Sequence, residues 1–96
     1  MFDKVVVANK ANKDLKDILD WYDSHSGEAG DRFLDELNIC ITKIASFPSH
    51  YKMVTPEIQR CLMKIFPFVI YFSGQQGAIV ILRVRHKKQK MLKRFK

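Results

Sequence analysis

Ninety-six residues suffice for one domain and no more, and a chain this short buries only roughly 60–65% of the surface its unfolded form exposes. With 47% of residues hydrophobic, the composition predicts apolar surface left over for a partner or a second copy. The net charge of +7 is unevenly placed: residues 1–47 hold six Lys/Arg against nine Asp/Glu, and residues 48–96 hold eleven against one, which predicts one positive face suited to phosphate-rich or acidic partners.

The residues from Met1 to Ala8 are few and include Asp3 and Lys4, unlike a secretory leader. The longest apolar run, Ile65 to Phe72, falls short of the ~20 residues that span a bilayer. The expectation is a cytoplasmic chain with no membrane partner. Two cysteines, Cys40 and Cys61, then read as reduced and buried. No Cys-x-x-Cys or clustered His/Cys spacing points to a metal, and no motif points to a cofactor.

In chain order, Phe2 to Ala8 is β-branched and apolar, with Val5, Val6 and Val7 at its centre, which predicts a strand. Asn9 and Asn12 offer helix N-caps. After them Ala11, Leu15, Ile18, Leu19 and Tyr22 recur at helical spacing, with Lys13, Lys16, Asp17 and Asp20 opposite, so an amphipathic helix runs to about Ser24. Asp14, Asp17 and Asp20 read as its solvated face. Ser26, followed by Ala29 and Gly30, opens a second helix with Phe33, Leu37, Cys40, Ile41 and Ile44 as its stripe. The short connection folds the two into a hairpin, and Phe47-Pro48 ends the second helix.

Residues 48–57 read as a loop. Three strands follow: Ile58 to Phe66, Phe68 to Ser73 and Ala78 to His86, with Pro67 at the first turn and Gly74 to Gly77 closing a hairpin. The order strand, helix, helix, strand, strand, strand predicts an α+β fold, a helical hairpin on one face of a small, largely antiparallel sheet. The tail from Lys87 to Lys96 is basic, with Met91, Leu92 and Phe95 interspersed.

Period-two alternation assigns Cys61, Met63, Ile65, Val80, Leu82 and Val84 to the side under the helices. The other side then combines Arg60, Lys64, Arg83 and Arg85 with Leu62, Ile79 and Ile81, a face both apolar and basic. Each arginine alone is as well explained by an aliphatic stem covering apolar neighbours. The group, with Lys87, Lys88, Lys90, Lys93 and Arg94 beyond it, favours recognition. His86 has no carboxylate nearby in sequence to orient it, so a structural or interface role is favoured over a general base. Tyr71 reads as a packed aromatic, and His25 and His50 as loop residues without chemistry.

The phrase Arg32-Phe33 followed by Leu37, Ile41 and Pro48, then Arg60, Phe68-Val69-Ile70-Tyr71 and Leu82-Arg83-Val84-Arg85-His86 with Lys87 and Lys88, resembles the RelE/ParE superfamily of toxins, closer to ParE. The resemblance implies the toxin of a type II toxin–antitoxin pair, associated with plasmid stabilization and held inactive by a cognate antitoxin. ParE-like members poison DNA gyrase; RelE-like members cut mRNA on the ribosome. The RelE-like members place an arginine just before the "VxY" strand, where this chain has Phe68. That favours gyrase binding without catalysis over an endoribonuclease acting on ribosome-bound mRNA, and a non-toxic binding module of the same fold is a further alternative. Arg60, Lys64, Arg83, Arg85, His86, Lys87 and Lys88 are the expected target-binding residues. Leu15, Leu19, Tyr22, Phe33, Leu37, Leu62 and Ile81 are the expected antitoxin-binding ones. A homodimer is left open for the chain without its antitoxin.

Overall fold

The computed structural model describes residues 4–88. The expected features at Phe2 and along the tail beyond Lys88 (Lys90, Met91, Leu92, Lys93, Arg94 and Phe95) lie outside the described residues. The elements are β1 (Lys4–Val7), α1 (Asn9–His25), α2 (Gly27–Ser46), a 3₁₀ turn (Pro48–His50), β2 (Lys52–Met53), β3 (Gln59–Leu62), β4 (Phe68–Gln75) and β5 (Ala78–His86). They form an α+β fold: two helices on a mixed sheet ordered β1-β5-β4-β3-β2. Only β1 runs parallel to its neighbour, β5; the other pairings are antiparallel.

The N-cap of α1 is Ala8 rather than Asn9, so the helix has no side-chain cap; the Asn12 side-chain amide instead donates back to the Val7 carbonyl at 3.5 Å. Ser26 does cap α2, its hydroxyl accepting from the Ala29 amide at 3.4 Å. The predicted stripes of both helices pack into one core with Phe68, Ile70, Phe72, Ile79, Ile81 and Val84.

Three features depart from the sequence reading. The loop expected at 48–57 contains the short edge strand β2, paired to β3 through Lys52↔Arg60 and Met53↔Gln59. The following strand stops at Leu62 rather than Phe66: the Met63 amide still reaches the Phe68 carbonyl at 3.0 Å, but the three amides after it are taken by a carboxylate. Glu36, 8% exposed, accepts from Lys64 N at 2.6 Å, Ile65 N at 3.0 Å and Phe66 N at 3.0 Å. These N–H groups are thereby lost to a ladder, and Ile65, expected under the helices, is 76% exposed. Third, β5 carries a bulge. Tyr71 pairs with Arg83 and Phe72 with Ile81, leaving Leu82 without a partner. The extra residue reverses the alternation. Ile79 and Ile81 lie in the core at 0% and 1% exposure, not on the free face, whereas Val80 and Leu82 are only half-buried. Beyond the bulge, Val84 is in the core as expected.

The β4–β5 hairpin closes with Gln76 (φ 47°) and Gly77 (φ 78°) between the paired Gln75 and Ala78. Both central residues are left-handed, as a type I′ turn requires. No helix among the described residues is long and apolar enough to cross a membrane.

Candidate functional site: the sheet face away from the helices

Strand β4 is buried from Phe68 to Ser73. Phe68, Ile70 and Phe72 belong to the core with the helices, so Val69, Tyr71 and Ser73 point to the other face, at 5%, 6% and 4% exposure. Register places the flanking residues of that face. Arg60 on β3 lies opposite Tyr71, Leu62 opposite Val69, and across β4 Arg85 lies opposite Val69. Lys52 extends the Arg60 row onto β2. No Asp or Glu occurs on any of the five strands. The face is therefore cationic by omission of acids as well as by its arginines.

The seven residues expected to bind a target do not form one cluster. Arg60 and Arg85 share the open face, both half-buried. Arg83 is diverted to the rim: its Nε and Nη2 donate to the Asp14 carboxylate at 2.7 and 3.0 Å. The same carboxylate accepts the Val84 amide at 3.0 Å. Asp14 is thus not part of a solvated face but covers the stretch of β5 beyond the end of β1. Hydrogen bonding to Asp14 raises the Arg83 pKa, against the opposing effect of burial. Lys64 lies in the loop held by Glu36 and is exposed. His86 is on the helix side, edge-on to Phe68 with ring centroids 5.5 Å apart, and its Nδ1 accepts the Lys88 amide at 3.1 Å. Lys87 and Lys88 are exposed, and the Lys87 amide bonds to the Pro67 carbonyl at 2.8 Å, bringing their turn beside the Lys64 loop.

The residues expected to receive an antitoxin divide differently. Phe33, Leu37 and Ile81 are interior, at 0%, 5% and 1% exposure. Leu15, Leu19 and Tyr22 are partly buried against the core. Leu62, 53% exposed, is the one of the seven that is classed as exposed. Apolar surface lies instead at residues the sequence reading passed over: Trp21, Ile39 and Phe47 are each more than half exposed. Beside Trp21 a cleft of about 460 Å³ opens between α1 and the ends of β4 and β5, with Asp17, Tyr22, Phe68 and His86 among its lining.

Two structural carboxylates were also missed, although a spacing signal exists for both. Asp14 lies three residues after Ala11 and four before Ile18. Glu36 lies three after Phe33 and four before Cys40. Each is thus on the apolar stripe of its helix. Among the described residues, no group of three or more His, Cys, Asp or Glu could hold a metal.

A family model described as the ParE toxin of the type II toxin–antitoxin system parDE matches residues 5–91. The chain belongs to this family. Membership makes it a ParE-type toxin of a type II toxin–antitoxin system, with a cognate antitoxin as partner. Among solved structures, a chain of the chromosomal ParDE TA system from P. aeruginosa superposes with a TM-score of 0.75 at 20% identity, covering 86% of this chain and 94% of that one. That likeness supports the fold. No curated protein matches significantly. Phe68, the residue that the sequence reading set against the arginine of RelE-like members, is 9% exposed within the core.

Proposed function

We propose that this ParE-family toxin inhibits DNA gyrase by binding, with no covalent step of its own, and that its cognate antitoxin neutralises it in the cytoplasm. The observation that carries this reading is the open face: Arg60 and Arg85 stand beside exposed Leu62 on a sheet without a single carboxylate. Guanidinium groups next to apolar surface suit a protein partner, and among the described residues the strands bring no carboxylate to this face to serve as a general base. Phe68 supports the same conclusion, because burial of a phenyl ring there removes a cation from the ribonuclease pattern.

The test adds purified toxin to gyrase with supercoiled DNA and ATP. Trapped, cleaved DNA is the expected product, and prior addition of the cognate antitoxin abolishes it. Absence of cleaved DNA at micromolar toxin overturns the gyrase reading. Cleavage of mRNA in a translating extract, lost when Lys87 and Lys88 become alanine, would replace it with the ribonuclease.

A further inference from the structure

The cleft beside Trp21 differs in charge from the molecule around it. On a chain of net charge +7, the described residues that line it include no lysine or arginine, while α1 contributes Asp14 and Asp17. After Lys16 that helix carries Asp17, Asp20 and Asp23 and no further lysine or arginine. Asp14 is committed to Arg83 and to the Val84 amide. Asp17 meets Lys13 across 3.3 Å, with their side chains 65% and 77% exposed, and such a surface pair exchanges partners at little cost. The lining is otherwise largely apolar, with Ile18, Tyr22 and Phe68 beside Trp21. The indole is stacked on His25 with ring centroids 3.9 Å apart and stands edge-on to Tyr22 at 5.2 Å. A large ring is thus held in place, yet it is 56% exposed. Aromatic surface with a carboxylate at its rim suits apolar side chains interspersed with cations.

We propose that this cleft receives the chain's own residues 89–96, which lie outside the described residues. Three observations single out this occupant, and none depends on gyrase being the target. The first is position. His86 and Pro67 both line the cleft, and the Lys87 amide is bonded to the Pro67 carbonyl at 2.8 Å, so the chain passes Lys88 at the edge of the cleft. From there eight residues can reach up to about 27 Å, ample to cross it. The second is chemistry. Met91, Leu92 and Phe95 stand among Lys90, Lys93, Arg94 and Lys96, with no acid in the segment, which complements the acidic, aromatic lining in both respects. The third is the tether. A segment attached three residues after His86 meets the cleft at an effective concentration on the order of millimolar. A second copy would offer the same side chains without that advantage, so the occupant is the segment of the same chain.

Trp21 is the chain's single tryptophan, so its fluorescence reports the cleft alone. The experiment compares acrylamide quenching of the full chain with that of the double variant Leu92→Ser and Phe95→Ser, both at about micromolar concentration, well below the tether's effective concentration. The variant is expected to be quenched about twofold more strongly, because the segment no longer covers the indole. Added acetyl-Gln-Lys-Met-Leu-Lys-Arg-Phe-Lys-amide should restore protection to the variant saturably, and Asp17→Lys should weaken that restoration by severalfold. Circular dichroism confirms that each variant is folded; the substituted tail positions lie outside the core cluster. Equal quenching of parent and variant overturns the proposal. So does equal restoration by a peptide with glutamate in place of every lysine and arginine. Protection in the parent that grows as its concentration is raised about a hundredfold assigns the cleft to a second copy instead.

Discussion

Asp14 and Arg83 lie 69 residues apart in sequence and share two hydrogen bonds, of 2.7 and 3.0 Å, while the same carboxylate takes the Val84 amide. One side chain on α1 thus satisfies an arginine and an edge amide of β5 where β1 no longer reaches. Both side chains are nearly buried, at 17% and 16% exposure, so removing one partner leaves the other poorly solvated.

Asp14→Ala should therefore destabilise the fold by about 2–4 kcal/mol, the usual cost of breaking a buried pair reduced for partial exposure. Asp14→Asn keeps one acceptor and should lose less. Urea denaturation of the two variants checks the order; equal stability to the parent chain would show that the bridge is replaced by water at no cost.

Glu36 is the second such anchor. Glu36→Ala leaves the amides of Lys64, Ile65 and Phe66 without their acceptor, at about 2–4 kcal/mol. Hydrogen exchange should show those amides losing protection ahead of the core of β4. Unchanged protection would mean that Pro67 and the strand ends hold the loop by themselves.

At the β4–β5 turn, Gln76 is a non-glycine residue at φ 47°. Gln76→Asn suits that conformation better and should stabilise by about 0.5–1 kcal/mol. Gly77→Ala, at φ 78° with open space around an added Cβ, should destabilise by about 1 kcal/mol through backbone strain alone. Thermal melts of the pair, moving in opposite directions, are the check.

Cys40 and Cys61 are free and buried, at 7% and 4% exposure. A hydrogen bond with Cys61, and then burial, push the Cys40 thiol well above its ordinary pKa. A raised pKa means less thiolate at neutral pH, and thiolate is the reactive form. The same hydrogen bond lowers the Cys61 pKa, so there it is burial that protects; both thiols should resist alkylation in the native protein and react at the rate of global unfolding. Rapid native labelling of either would contradict the packing of α2 on β3.

On the open face, Arg60→Glu should lower gyrase-dependent DNA cleavage by more than about tenfold while shifting stability by no more than about 1 kcal/mol, since Arg60 is half-buried. Undiminished cleavage in a folded variant would move the target surface elsewhere.

The amino-acid sequence by itself determined the helices, the hairpin between them, the late run of strands and the toxin family. These follow from periodicity and punctuation, which are local. Phe33, Leu37 and Ile44 could be assigned to a core because their neighbours three and four residues away share it. Tertiary structure decided the rest. The bulge at Leu82 adds one residue to one strand, and because side chains alternate with period two, that residue moves Ile79 and Ile81 from the expected binding face into the core. Asp14 and Glu36 occupy stripe positions, but their role depends on partners 28 to 70 residues away, a separation no helical repeat encodes. The same long-range pairing removes Arg83 from the candidate site and leaves Arg85 on it. Charge and spacing could name the arginines, and only the fold could say which of them already has its anion.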